Sequence, residues 1–171
     1  MIIYISGGVR SGKSRFAQEM ALQLSGNPIY VATAKIWDDS FKQRVDMHRQ
    51  DRGPEWTTLE AMQDVFSLPI ENRIAVIDCV TLWITNLFIT NHNDLNLTLN
   101  AFKHEVDELL KLDGTFIIIS NELGMGLHGE TELGRKFADL QGWCNQYVAG
   151  KALEAILMVS GLPLWLKKKG D

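Results

Sequence analysis

The sequence predicts an α/β fold: a mostly parallel, doubly wound sheet flanked by helices. Three observations lead there. Short apolar runs alternate with amphipathic helical patterns along the chain. Several runs are apolar at every position, as strands covered on both faces must be. A glycine-rich turn separates the first run from the first helical pattern. The length of 171 residues suits a single domain, 1–171, with a core of its own.

In chain order, Ile2–Ser6 reads as the first strand. Lys13–Leu24 follows as a helix with Phe16, Met20 and Leu24 on one stripe, stopped by Gly26 and Pro28. Ile29–Thr33 is the second strand. The charged run Asp38–Arg52 reads as a helix, begun by Asp38 and Asp39, whose charge complements the helix dipole. Ile74–Asp78 is the third strand. Thr81–Asn91 is apolar on more than one side (Leu82, Trp83, Ile84, Leu87, Phe88), which implies burial by the core or a neighbouring subunit. Asn91–Thr98 reads as a polar loop. Leu99–Leu110 is a helix carrying Leu99, Phe102, Val106 and Leu109. Thr115–Ser120 and Ala155–Ser160 are strands on either side of a helix at Thr131–Ala149, which carries Leu133, Phe137, Leu140, Cys144 and Tyr147. Lys167–Lys169 reads as a solvated tail.

The composition is 46% hydrophobic and 22% charged, with a net charge of −4. That balance fits a soluble globular protein and argues against a general nucleic-acid binder. No apolar run reaches the roughly 18 to 20 residues of a transmembrane segment. No secretory leader is evident, and Cys79 and Cys144 form neither a CxxC pair nor a metal spacing, so a reducing cytoplasm is expected. His92, His104 and His128 have no metal-ligand spacing either.

Gly7-Gly8-Val9-Arg10-Ser11-Gly12-Lys13-Ser14 satisfies GxxxxGK[ST] between a strand and a helix. Glycines let backbone N–H groups turn around phosphate oxygens, and the helix N-terminus adds partial positive charge. Lys13 reaches the outer phosphates, and the Ser14 hydroxyl suits Mg²⁺. A random chain of this length would match less than about once in a hundred. The fold is therefore read as P-loop NTPase-like. Asp78, at the end of an apolar run, is the candidate acid for the metal's water shell; capping of the next helix is the ordinary alternative.

On the predicted helix 38–52, Phe41, Val45 and His48 share a face, with Arg44 and Arg52 one turn either side of His48. A phosphate against that face meets cations and an imidazole. Neutral imidazole is a nucleophile toward phosphorus, and neighbouring arginines disfavour its protonation. Spacing alone leaves open an ordinary half-covered histidine among surface arginines.

Six ordered blocks carry a resemblance: GGVRSGKSRFA, YVATAKIWDD, RVDMHRQDRGPEW with Glu60 beyond it, VIDCVTLWITNLF, SNELGMG and VSGLPL. Together they resemble the bifunctional adenosylcobinamide kinase / adenosylcobinamide-phosphate guanylyltransferase family of cobalamin biosynthesis, from Met1 to about Lys168. The resemblance implies phosphorylation of the aminopropanol hydroxyl of adenosylcobinamide by ATP or GTP. It further implies transfer of GMP from GTP, through a guanylylated histidine, to give adenosylcobinamide-GDP and pyrophosphate. It also implies a homotrimer. Carried over by position, Gly7–Ser14, Ala32, Thr33, Ala34, Arg49, Gln50, Asp51, Arg52, Glu60 and Asp78 are nucleotide contacts and His48 accepts the guanylyl group; the motif's own chemistry assigns Ser14 and Asp78 to the metal. Two departures stand out. Asp78 occupies a position where a glutamate can occur, and the loop Gly124–Gly129 lacks a proline found in some relatives. The competing readings are a monofunctional P-loop small-molecule kinase, which leaves the His48 cluster as surface, and a nucleotide-dependent switch.

Overall fold

The computed structural model describes residues 1–34, 52–126 and 129–170. These form a seven-stranded sheet in the order β3-β2-β4-β5-β1-β6-β7. The strands are β1 (Ile2–Gly7), β2 (Ile29–Ala32), β3 (Thr57–Glu60), β4 (Arg73–Asp78), β5 (Gly114–Ile119), β6 (Glu154–Val159) and β7 (Leu162–Lys167). All neighbours pair in parallel except β7, which runs antiparallel to β6. The helices are α1 (Lys13–Leu24), α2 (Val80–Thr90), α3 (Leu95–Lys111) and α4 (Glu132–Lys151). A 3₁₀ turn at Val65–Ser67 precedes β4. The P-loop NTPase-like α/β architecture is thus the one expected.

The uniformly apolar strands are buried on both faces. In β1, Ile2 and Tyr4 join a core under α2, α3 and α4, while Ile3 and Ile5 join a second core under α1. The same split separates Ile77 from Val76 and Ile118 from Ile117. This period-two division is why both faces of the central strands are mostly apolar. The apolar helix α2 is covered by its own chain: Val80, Trp83, Ile84, Leu87 and Phe88 are buried, and Trp83 packs edge-on against Phe102 of α3.

Several expectations need correction. The stripe of α1 that meets the sheet is centred on Ala17 and Ala21, with Phe16 and Met20 at its flanks and Leu24 exposed. Small residues let the helix approach the strands closely. The segment Asn91–Thr98 is a loop only as far as Asp94. There the Asp94 carboxylate accepts the Leu97 N–H at 2.8 Å and starts α3 a turn earlier than its apolar stripe suggests. Strands β3 and β7 were not foreseen, because both lie at sheet edges and lack a buried apolar run. Lys167 is not part of a free tail: it ends β7, and its Nζ donates to the Ala152 carbonyl at 2.6 Å. Of the predicted helix 38–52, only Arg52 falls among the described residues.

Candidate active site

The sheet register brings the candidate residues to one edge. Ala32 aligns with Asp78 and with Glu60, Asp78 with Ile119, Ile119 with Ile5, and Gly7 with Met158. These are the carboxyl ends of parallel strands, where open α/β sheets bind ligands.

The glycine-rich loop turns directly off β1. A Cβ at Gly7 would lie 2.5 Å from the Met158 carbonyl of the neighbouring strand, so only glycine fits there. Gly12 (φ 93°) enters α1 in a left-handed conformation and offers no side-chain cap. The first-turn N–H groups of a twelve-residue helix are therefore left for an anion. The β6–β7 turn closes against this loop: Gly161 N–H donates to the Ser11 carbonyl at 3.0 Å. Lys13 is buried, and its Nζ donates to the Gly8 carbonyl at 2.6 Å. Burial lowers its pKa, partly countered by the Asp78 carboxylate. A phosphate taking the place of that carbonyl would supply the missing negative charge.

Asp78 faces this loop. Its Oδ2 accepts hydrogen bonds from Ser14 Oγ at 2.8 Å and from Tyr30 Oη at 2.7 Å. It does not cap α2, whose N-cap is Cys79 without a side-chain bond. Burial and the adjacent carboxylate push the Tyr30 phenol well above its ordinary pKa, so it stays a proton donor. The Tyr30 ring meets Trp56 edge-on at 6.2 Å and carries the Arg52 guanidinium on its face at 3.8 Å. Among the described residues, Arg52 Nε and Nη1 are buried there without a hydrogen-bond partner. Buried cationic N–H groups of this kind are suited to an anionic partner.

Ser14 and Asp78 are hard oxygen donors meeting at one point. Among the described residues no group of three or more His, Cys, Asp or Glu could hold a metal unaided. That donor set fits Mg²⁺, which takes one or two protein oxygens and completes its shell with water and substrate phosphates.

Other candidates occupy supporting positions. The Thr33 hydroxyl is fully buried, donating to the Cys79 carbonyl and accepting the Cys79 N–H, each at 2.8 Å. It joins the end of β2 to the end of β4. Ala34 follows at the same edge, and Glu60 ends β3. Asn121 Nδ2 donates to Thr81 Oγ1 at 3.0 Å, bracing the start of α2, while the Glu122 carboxylate accepts the Gly124 N–H at 3.0 Å. Burial pushes the Cys79 thiol up to about 12, which keeps it protonated at neutral pH. His48, Arg49, Gln50 and Asp51 lie outside the described residues, as does His128. Tyr30 and Trp56 were missed. The available signal was a phenol in an otherwise apolar buried strand, since a buried hydroxyl requires a partner.

The family model described as cobinamide kinase / cobinamide phosphate guanyltransferase matches residues 3–166. The bifunctional adenosylcobalamin biosynthesis protein CobU of Escherichia coli K12 is 33% identical, the match covering 98% of this chain and 100% of that one. The bifunctional adenosylcobalamin biosynthesis protein CobP of Pseudomonas aeruginosa PAO1 is 36% identical over 95% of each chain. CobU of Salmonella typhimurium LT2 is 30% identical over 98% of this chain and 100% of that one. With a family match over residues 3–166 and relatives aligned along nearly the whole chain, this protein belongs to the cobinamide kinase / cobinamide phosphate guanyltransferase family of enzymes.

Proposed function

We propose that this protein phosphorylates adenosylcobinamide with ATP or GTP and then transfers GMP from GTP to the product. The observation that carries the reading is the convergence of Lys13, Ser14 and Asp78 beneath the uncapped start of α1. Phosphoryl transfer is chiefly positioning plus neutralisation of charge. Lys13 exchanges the Gly8 carbonyl for phosphate oxygen, and the first-turn N–H groups hold the same group from behind. Mg²⁺, when bound, neutralises charge on the outer phosphates; Ser14 and Asp78 would hold it. The substrate hydroxyl need only lie in line.

For the second reaction His48 is the nucleophile. Its imidazole nitrogen bonds the α-phosphorus of GTP as the bond to pyrophosphate breaks. The phosphate of adenosylcobinamide phosphate then attacks the same phosphorus, freeing the imidazole and giving adenosylcobinamide-GDP. Arg52, close in sequence to His48 and with Nε and Nη1 lacking hydrogen-bond partners among the described residues, supports an anion site in this region. Arg49, Gln50, Asp51, Glu60 and the segment Ala32–Ala34 are assigned to nucleotide contact, with Thr33 acting from within the protein. One domain, 1–171, would carry both reactions.

A homotrimer is part of the reading. Edge strand β7 exposes Leu162, Leu164 and Leu166, an apolar border suited to a second copy. The described residues contain no helix long and apolar enough to cross a membrane, and a cytoplasmic location is proposed with the rest. The deciding experiment incubates adenosylcobinamide with ATP and GTP separately and identifies the corrinoid products by mass. Phosphate addition with either nucleotide and GMP addition with GTP alone is the expected result. Phosphate addition without GMP transfer returns the protein to a monofunctional kinase. With α-labelled GTP, acid-labile and base-stable protein label should vanish in His48→Ala; label that persists excludes that residue as the carrier.

A further inference from the structure

We propose that Tyr30 is a positioning residue for the phosphoryl-transfer centre, fixing the Asp78 carboxylate by its hydroxyl. The inference rests on Asp78 serving the nucleotide's divalent cation. Tyr30 Oη and Ser14 Oγ donate to the same oxygen, Oδ2, at 2.7 and 2.8 Å. Oδ1 has no hydrogen-bond partner among the described residues. Two donors on one oxygen set the rotation of the carboxylate and leave the other oxygen to accept from water around a cation.

The two donors differ in rigidity. Ser14 is also the hydroxyl expected to ligate the cation, so its bond to Asp78 has a competing duty. Tyr30 has none. The residue is 5% exposed, and its ring meets Trp56 edge-on and is covered by Arg52. Held on two sides, the phenol cannot swing away, and the carboxylate keeps its orientation before nucleotide arrives. The same ring seats Arg52, so one side chain sets the placement of both the metal-directed acid and the orphaned guanidinium.

Tyr30→Phe tests this, because it keeps the ring and its contacts with Trp56 and Arg52 while removing only the hydroxyl. Mn²⁺ binding to the protein saturated with a non-hydrolysable ATP analogue is followed by electron paramagnetic resonance, together with thermal melting. Loss of one hydrogen bond to a charged group should weaken Mn²⁺ about tenfold. The kinase step should lose kcat with little change in KM for ATP, and excess Mg²⁺ should restore part of it. Asp78→Asn is the control. Unchanged Mn²⁺ affinity in Tyr30→Phe, with weakened affinity in Asp78→Asn, overturns the role of Tyr30 and leaves that of Asp78 standing. Unchanged affinity in both variants overturns both. A lower melting temperature with unchanged Mn²⁺ affinity assigns Tyr30 to the core alone and likewise overturns the proposal.

Discussion

Asp78 and Glu105 are two carboxylates with similar immediate contacts and different surroundings. Each accepts two donors on one oxygen: Ser14 and Tyr30 for Asp78, the Val65 N–H at 3.1 Å and Trp83 Nε1 at 3.0 Å for Glu105. Glu105 is 4% exposed among α2, α3 and the 3₁₀ turn, and desolvation raises its pKa. Its donors belong to the core and lead nowhere else. Around Asp78 stand a buried lysine, a helix start without a side-chain cap and, across the Tyr30 ring, an arginine with two N–H groups that lack partners among the described residues. Local hydrogen bonding does not separate a structural carboxylate from a functional one. Buried neighbours of opposite charge are what make Asp78 the candidate.

The contrast can be broken by substitution. Asp78→Asn should lower kcat of the kinase step by about two to three orders of magnitude, the scale of losing a preorganised electrostatic group, with little change in melting temperature. Glu105→Ala should do the reverse. Stranding the Trp83 and Val65 donors should cost about 3 kcal/mol of stability, measured by urea unfolding, while the folded fraction keeps its activity. Activity lost from Glu105→Ala without loss of stability would erase the distinction.

Lys13→Met sharpens it from the cationic side. The folded pKa of Lys13 lies below its unfolded value, so protonation favours the unfolded chain, and the cost is fully present at neutral pH, below both values. The variant should melt at or above the temperature of the parent, yet ATP should no longer raise its melting temperature. A surface carboxylate gives the smallest effect. The Tyr147 hydroxyl, ahead of Lys151, lowers the pKa of Asp107 from its ordinary 3.8. Its contribution is present above that value and fades as pH falls through the lowered one. Glu105 has the opposite sign: its raised pKa makes the ionised form costly, so stability falls as pH rises past the ordinary value of 4.5. Unfolding titrations of Asp107→Asn and Glu105→Gln should therefore remove slopes of opposite direction, the former slight because the pair is exposed.

Legibility in the sequence followed burial and locality. The five central strands were readable because burial on both faces demands continuous apolar runs, and α1 because a glycine-rich turn marks its start. Edge strands β3 and β7 were not, since β3 has no fully buried residue and β7 is exposed along most of its length. The start of α3 was hidden among asparagines because its cap is a single aspartate. In the candidate site, the glycine-rich turn and the position of Asp78 at the end of its strand are legible from pattern. Tyr30 was not, because one phenol in a strand does not say what its hydroxyl reaches.

The sequence by itself determined the strand–turn–helix of the candidate phosphate cradle, since every part of it lies within a few residues and obeys local backbone sterics and hydrogen bonding. Tertiary structure alone decided that Ser14 meets Asp78 across 64 positions and Tyr30 meets it across 48. Those meetings depend on β5 inserting between β4 and β1, with β2 on the far side of β4. Strand order is set by which apolar faces bury one another across the whole chain, and that competition is written in no single segment.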